Sequence, residues 1–399
     1  MTDFLKPFLA LRTNIKLRTS PAHNHIDIDN LIFKLHYRHT AILLFLCSLL
    51  VTSRQYIGEH IKCIVGGKLN PRVVSSYCFF TSTFTQVQYT EQELVDNGTV
   101  PHLGVGPYAL ESRSPLIHHS YYQWVPFMLF AQAIMFILTH LLWKKWEGGK
   151  LRALLVGIEN ASYSFAEQEI KSGCGPIPSI EKKKEGIELI KTKIIKSDYV
   201  SRFWPLGLVI CETLNVLHVY FQMALTNKFL GGIFWSLGPN LMDSSLTSQT
   251  LLDTNFPKVT KCSFQMYGPS GSIQRHDVLC VMALNVMNEK IYSVLWFWFV
   301  FLLTISTLNL AWRLATYLLH GRSSKFNRYV LSSATPGKLN ALTEVTITDH
   351  LVFKDWLFLR YLGRNIHGLL FKQIIDELTD GLHQNISVDN PDEMYRLRQ

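Results

Sequence analysis

From Trp124 to Trp143, twenty consecutive residues contain no Asp, Glu, Lys or Arg. At about 1.5 Å per helical residue this run spans roughly 30 Å, the thickness of a bilayer's hydrocarbon core. Indole rings at its two ends suit the two water–lipid interfaces, and Lys144, Lys145 and Lys150 mark the cytoplasmic end. Three more apolar runs, 37–56, 203–225 and 291–313, share the pattern, with polar stretches between them. A chain of 399 residues that is 48% hydrophobic can be soluble, but soluble cores do not collect their apolar residues into four long blocks. The expected fold class is an all-α membrane protein, a four-transmembrane-helix bundle. The expected spans are 37–56, 121–143, 203–225 and 291–313.

Charge sets the direction of the spans. The segments expected in the cytoplasm (1–39, 144–202 and 320–399) carry 28 Lys/Arg against 20 Asp/Glu. The two loops expected on the opposite side (56–120 and 226–290) carry nine of each. Basic residues gathered on one side are the positive-inside pattern, which accounts for the net charge of +9 without a nucleic-acid partner. Phe8 to Leu11 is the only apolar core ahead of Arg12, too short for a secretory h-region, so the first span is expected to act as the targeting signal. Residues 1–36 then form a cytoplasmic amino-terminal segment and 57–120 the first outer loop. Residues 144–202 form a cytoplasmic loop, 226–290 the second outer loop, and 314–399 a cytoplasmic helical region. Within that last region Phe353, Trp356, Leu357, Leu362, Leu369 and Leu370 recur at amphipathic spacing.

The amino-terminal segment places Phe4, Leu5, Phe8, Leu9 and Ile15 at approximate helical spacing, with Lys6, Arg12, Lys16 and Arg18 between them. A short amphipathic helix, a membrane-surface helix and an unstructured tail all fit this pattern. Arg54, near the outer end of the first span, either snorkels to the interface or faces an aqueous space. Pro126 falls in the first turns of the second span, as a structural kink or a gating hinge. Glu212, mid-span in the third run, costs roughly 2.5–3.5 kcal/mol if it faces lipid. It is therefore expected to face protein or water, with an interhelical hydrogen bond favoured over a permeation role.

Each outer loop holds two cysteines, Cys63 and Cys78 in the first and Cys262 and Cys280 in the second. An oxidising exterior favours disulfides among these four and leaves Cys47, Cys174 and Cys211 reduced. Zinc is the alternative, but the spacings lack the close CxxC pairs of ribbon-type sites. Three pairings of four cysteines remain open on spacing alone. Asn97-Gly98-Thr99 is a glycosylation sequon in the first outer loop. Gly104-x-Gly106 lacks the strand, helix and third glycine of a nucleotide loop. His36 and His39 lie at the inner face and His118 and His119 at the outer, so they cannot build one di-metal site. No nucleophile constellation appears, and neither enzymatic activity nor a cofactor is expected.

The residues Tyr121-Tyr122-Gln123-Trp124-Val125 form the hallmark pentapeptide of innexins, the invertebrate gap-junction proteins. The chain resembles that family over nearly its whole length. Matching stretches include Ile28-Asp29-Asn30 through His36-Tyr37, Val51 through Gly58, Trp146-Glu147-Gly148-Gly149-Lys150, and Lys228-Phe229-Leu230-Gly231-Gly232. Pro257 to Lys261, Phe264, Gly268-Pro269-Ser270-Gly271, and Leu284-Asn285 through Lys290 continue the set. Connexins carry three cysteines per outer loop and tetraspanins a Cys-Cys-Gly motif; neither is present here.

The resemblance implies a ring of eight homomeric or heteromeric subunits around a pore, set in the bilayer and docked end to end with a second ring. It implies an amino-terminal pore helix forming a funnel, with Phe4, Lys6, Arg12, Lys16, Arg18 and Arg54 as candidate pore-lining residues. It also implies disulfides that join the outer loops, Cys63 with Cys280 and Cys78 with Cys262, and a helical cytoplasmic dome. The competing readings are an undocked hemichannel, which a glycan on Asn97 would favour, and a pore-less adhesion protein.

Overall fold

The computed structural model describes residues 27–57, 61–66, 69–107, 115–155, 180–196, 203–243, 252–335 and 341–389. Two compact units result. One takes 31–141 and 212–309; the other takes the described parts of 1–30, 142–211 and 310–399.

The first unit is built on four long helices. Helix α1, Leu31–Ile57, includes a π-helical turn at Leu35–Thr40. Its buried residues Ala41, Leu44, Ser48, Val51 and Gln55 recur every three or four positions, the stripe of a helix packed on one side only. The opposite face leaves Ile42, Phe45, Leu46, Leu49 and Leu50 exposed. Apolar side chains on both faces suit a helix whose second face meets something other than water.

Short elements follow in chain order: β1 (Lys62–Ile64), α2 (Pro71–Thr81), β2 (Thr83–Gln86), α3 (Gln92–Asp96) and β3 (Leu116–His119). Asn70 caps α2 by accepting the Arg72 N–H, and Pro71 takes the first helical position, where no intrahelical N–H is needed. Helix α4, Val125–Glu147, is preceded by a 3-10 turn at Tyr121–Gln123. The regular helix therefore begins four residues later than the sequence pattern suggests and runs on to the glycine pair at 148–149. Pro126 takes its second position, where a missing N–H costs no hydrogen bond.

Helices α5 (Lys150–Leu155), α6 (Ile180–Ile195), α7 (Phe203–Phe229) and α8 (Phe234–Met242) come next. Helix α7 ends at Gly231 and Gly232, both with positive φ, and the Gly232 N–H returns to the Asn227 carbonyl at 2.7 Å. A Cβ would strain both positions. Strands β4 (Val259–Tyr267) and β5 (Ile273–Val281) pair over nine residues each. Helix α9, Ala283–Leu319, is 37 residues long, about 55 Å, and so longer than a bilayer is thick. Helices α7 and α9 each contribute to both units.

The five strands form one antiparallel sheet in the order β1-β5-β4-β2-β3. It draws on two segments far apart in sequence, 62–119 and 259–281. The sequence pattern suggests loops there: β1 and β2 are short and pair with β5 and β4 roughly 200 residues away, and the β4–β5 hairpin shows in the sequence only as the tight turn at 267–271.

The second unit is wholly helical among its described residues. Its carboxy-terminal helices are α10 (Ser324–Ser332), α11 (Ala341–His350), α12 (Phe353–Asn365) and α13 (Gly368–Asp389). Trp143, Trp204 and Trp356 are buried in it with Phe358 and Phe371. Trp204 meets Trp143, Phe358 and Tyr361 with ring centres 5.6–5.7 Å apart, in tilted and edge-on geometries that aromatic quadrupoles favour. Of the amphipathic set read from the sequence, Trp356, Leu357, Leu362 and Leu370 are buried, whereas Leu369 is exposed.

Candidate functional site

The sheet carries two disulfides. Cys63 on β1 lies directly opposite Cys280 on β5 and is bonded to it. Cys78, on the buried face of α2, is bonded to Cys262 on β4. One bridge thus ties strand to strand and the other fastens a helix onto the sheet. Each closes a loop of about two hundred residues (217 and 184 apart in sequence), for which chain-entropy arguments give several kcal/mol. Cys47 and Cys211 form no disulfide. Cys174 lies outside the described residues.

A buried lysine adds a polar tie. Lys261 on β4 sits 2.6 Å from Asp277 on β5 and donates to the Gly106 carbonyl at 2.8 Å. The Gly106 N–H in turn donates to Gln86 Oε1, and a Cβ at Gly106 would run into the Tyr89 ring at 2.3 Å. Gly104-x-Gly106 is thus a close-packing device between a loop and the sheet. His119 on β3 shares a 2.8 Å hydrogen bond with Thr85 on β2. Burial, with a smaller contribution from neighbouring His118, pushes its imidazole down to about 4. Lys258, within 2.6 Å of Asp253 and 3.8 Å of Glu289, is held above the usual lysine range, chiefly by its hydrogen bond to Asp253.

The β4–β5 hairpin ends at Gly268–Ser272, where the Gly268 N–H reaches the Ser272 carbonyl at 2.7 Å. Tyr267 and Ile273, flanking this turn, are 74% and 59% exposed. Large apolar side chains at a projecting tip, above a base fixed by disulfides, form a surface suited to contact.

The pentapeptide is a junction. Tyr121 donates to Asn285 Oδ1 at 3.1 Å, and Asn285 Nδ2 donates to the Pro257 carbonyl at 3.0 Å. Tyr122 and Gln123 both donate to the Phe79 carbonyl at the end of α2. Val125 is buried, and Trp124 is 62% exposed, as an interfacial indole would be. Five consecutive residues therefore fasten α2, the β4 approach and the start of α9 to the head of α4.

Below the junction, hydrogen bonds link the long helices. Ser48 donates to the Pro126 carbonyl at 2.8 Å, and Gln132 to Thr226 at 2.9 Å. His36 Nε2 lies 2.7 Å from Ser306 Oγ, and Trp298 donates to Thr40 at 2.9 Å. Glu212 is buried on α7, about two turns before His218 and about three before Gln222, whose side chains meet at 2.9 Å. Arg54 lies on the exposed face of the last turn of α1. Asn97 is exposed immediately after α3. Phe4, Lys6, Arg12, Lys16 and Arg18 lie outside the described residues.

In the helical unit, the Glu147 carboxylate accepts the N–H groups of Gly149 and Leu151 and so caps α5. Asp27 and Asn365 exchange two hydrogen bonds, 2.6 and 2.9 Å, across 338 residues of sequence. Trp143 holds the Ile28 carbonyl at 3.2 Å. The sequence contains no local signal for these long-range pairs. Lys261 has only the signature of a charged residue beside a cysteine in an alternating run.

The innexin family model matches residues 29–382. Innexin inx7 of Drosophila melanogaster is 40% identical over 395 residues, covering 98% of this chain and 88% of that protein. Innexin inx2 of Schistocerca americana is 36% identical, covering 90% and 94%. Innexin shaking-B of Drosophila melanogaster is 33% identical, covering 91% and 92%. Innexins are a channel family. Four long apolar helices, a disulfide-stapled sheet and the pentapeptide junction are the parts from which such a subunit is made, and the chain belongs to the innexin family of gap-junction channel subunits.

Proposed function

We propose that this innexin assembles as a ring of eight subunits in the plasma membrane and docks to a second ring on an adjacent cell. Residues 57–120 and 226–290 face the extracellular space; 1–36, 144–202 and 314–399 face the cytoplasm. The observation that carries this reading is the stapled sheet with its exposed hairpin tip. Docking two rings orders every surface that meets, and a surface fixed in advance by Cys63–Cys280 and Cys78–Cys262 forfeits less entropy. The charge asymmetry between the two sets of segments supports the orientation.

The amino-terminal segment forms the pore funnel, with Phe4, Lys6, Arg12, Lys16 and Arg18 along the path and Arg54 at the outer end of α1. A ring of such cations favours anions. Neutralising Lys6, Arg12, Lys16 and Arg18 together is expected to lower the anion/cation permeability ratio; an unchanged ratio would exclude them from the path. Glu212 acts through interhelical hydrogen bonding. Recording from paired cells that express only this chain tests pore, docking and homomeric assembly together. Junctional current is the expected result, and membrane current without junctional current would overturn docking.

One observation favours a second reading, an undocked hemichannel. Asn97 is exposed directly after α3, where a glycan would stand in the way of a partner ring. A glycosidase-sensitive mobility shift supports that reading, and dye transfer between paired cells rejects it.

A further inference from the structure

Helix α1 is α-helical on both sides of Leu35–Thr40, where it takes an extra residue into a π-helical turn. Side chains mark the widening. Further along the same helix the Thr52 hydroxyl donates to the Ser48 carbonyl, four residues back, and Ser53 to Leu50, three back. These are the usual spans for a helical Ser or Thr. Thr40 instead reaches five back, to the Leu35 carbonyl at 2.8 Å. The extra residue also sets direction. An uninterrupted α-helix would place His36 about 80° around the axis from Leu44; the π turn brings the two within about 20°. His36 thereby joins the buried stripe of Leu44, Ser48 and Val51.

A π turn is rare, collects at functional sites and lasts where neighbouring groups hold it. Two of the holds come from α9. The Trp298 indole N–H donates to the Thr40 hydroxyl at 2.9 Å, so one hydroxyl both closes the turn and receives α9. Four residues earlier, His36 Nε2 lies 2.7 Å from Ser306 Oγ. Against these holds stands His36 Nδ1, buried and with no hydrogen-bond partner among the described residues, which costs the clamped form free energy. The turn is therefore stabilised by contacts on one neighbouring helix and opposed from within its own ring.

We propose that Leu35–Thr40 is a register switch in α1, passing between the clamped π turn and a continuous α-helix, with Thr40, Trp298, His36 and Ser306 as its positioning residues. In the continuous form residues 31–35 rotate by about 100° against 41–57, the angle of one helical residue. Leu31, 62% exposed, and Lys34 then point in a new direction, while Ala41, Leu44, Ser48, Val51 and Gln55 keep their packing. Packed helices pass between discrete arrangements and do not deform continuously. The effect of the switch on current rests on the reading, proposed above, that the segment leading into α1 borders the pore.

The test is electron cryo-microscopy of the full-length protein in phosphatidylcholine nanodiscs, with particles sorted by the register of residues 31–40. Thr40→Val keeps the side-chain shape and removes the hydroxyl; about three times as many particles with a continuous α-helix are expected, or more. Thr40→Ser restores the hydroxyl and is expected to match the unmodified protein. Should Thr40→Val fail to fold, Trp298→Phe with Ser306→Ala removes both clamps from the α9 side, and the same shift is expected. Deleting His39, an exposed residue of the turn, removes the extra residue; a continuous helix with 31–35 at their present azimuth is expected. In current recordings Thr40→Val is expected to change open probability about twofold or more, and Thr40→Ser to leave it unchanged. A register shift without altered current supports the switch and counts against the amino-terminal segment as part of the pore. A π turn retained in Thr40→Val and in the α9 double variant, or equal shifts in Thr40→Val and Thr40→Ser, overturns the proposal.

Discussion

The disulfide-stapled sheet and the helical unit solve the same problem with different chemistry. Both must hold together segments distant in sequence. The sheet does so with two covalent bridges, a buried lysine and a nine-residue strand pairing. The helical unit has no disulfide among its described residues; it relies on buried indoles and on side chains that cap or pin backbone groups. Under the orientation proposed above, the difference follows the redox compartments of the two regions. Bridges persist outside the cell and not inside it, where bulk burial takes their place. A covalently fixed region keeps one shape against a partner, whereas a region held by packing can shift between arrangements.

The comparison breaks most sharply at Trp204. Replacing it with Ala removes the ring that touches Trp143, Phe358 and Tyr361, at an expected cost of about 3–5 kcal/mol. Hydrogen exchange should rise across α12 while β4 and β5 stay protected. Exposure of the sheet at the same time would show that the two units do not unfold separately.

The reverse experiment removes one bridge. Cys78→Ser with Cys262→Ser is expected to cost about 2–4 kcal/mol, felt in α2 and β4, and to reduce junctional current more than surface expression. Added reductant should reproduce the effect in the unmodified protein and leave α10–α13 unchanged. A surviving junctional current would separate the bridge from docking.

Acid sharpens the contrast further. The folded His119 imidazole titrates at about 4, below its ordinary value of 6.5, so the unfolded chain binds the additional proton between those pH values. The stability this neutral histidine contributes is complete above about 6.5 and is lost as pH falls toward 4, by about 2–3 kcal/mol. His119→Gln, which retains a partner for Thr85, should flatten the pH dependence of sheet unfolding over that window. The helical unit should not follow it.

The smallest expected effect is at Pro126. Because its missing N–H falls among the unsatisfied groups of a helix start, Pro126→Ala should change stability by less than about 0.5 kcal/mol and leave voltage dependence alone. A large change in gating would support the hinge reading.

Much of the architecture was legible in the residues because lipid imposes a one-dimensional rule. A span needs about twenty apolar residues, a count that any window over 124–143 reveals, and the Lys/Arg asymmetry needs only addition. The pentapeptide identified the family, but its work could not be read from its letters. That Tyr121 would meet Asn285, and Gln123 the carbonyl of Phe79, depends on where α2 and α9 begin. The sheet was hidden for a related reason: β1 and β2 are three and four residues long, and β5 and β4, which join them into one sheet, lie in another loop.

By itself, then, the sequence showed four apolar spans and the charge asymmetry on which their proposed direction rests. Each of these depends on local composition and on solvent. Only the tertiary structure decided that Lys261 reaches Gly106 and that Asn365 holds Asp27, while it bonds Cys63 to Cys280 as the family resemblance implied. Those are distances across the fold, set by packing among residues up to 338 positions apart, and no window along the chain contains them.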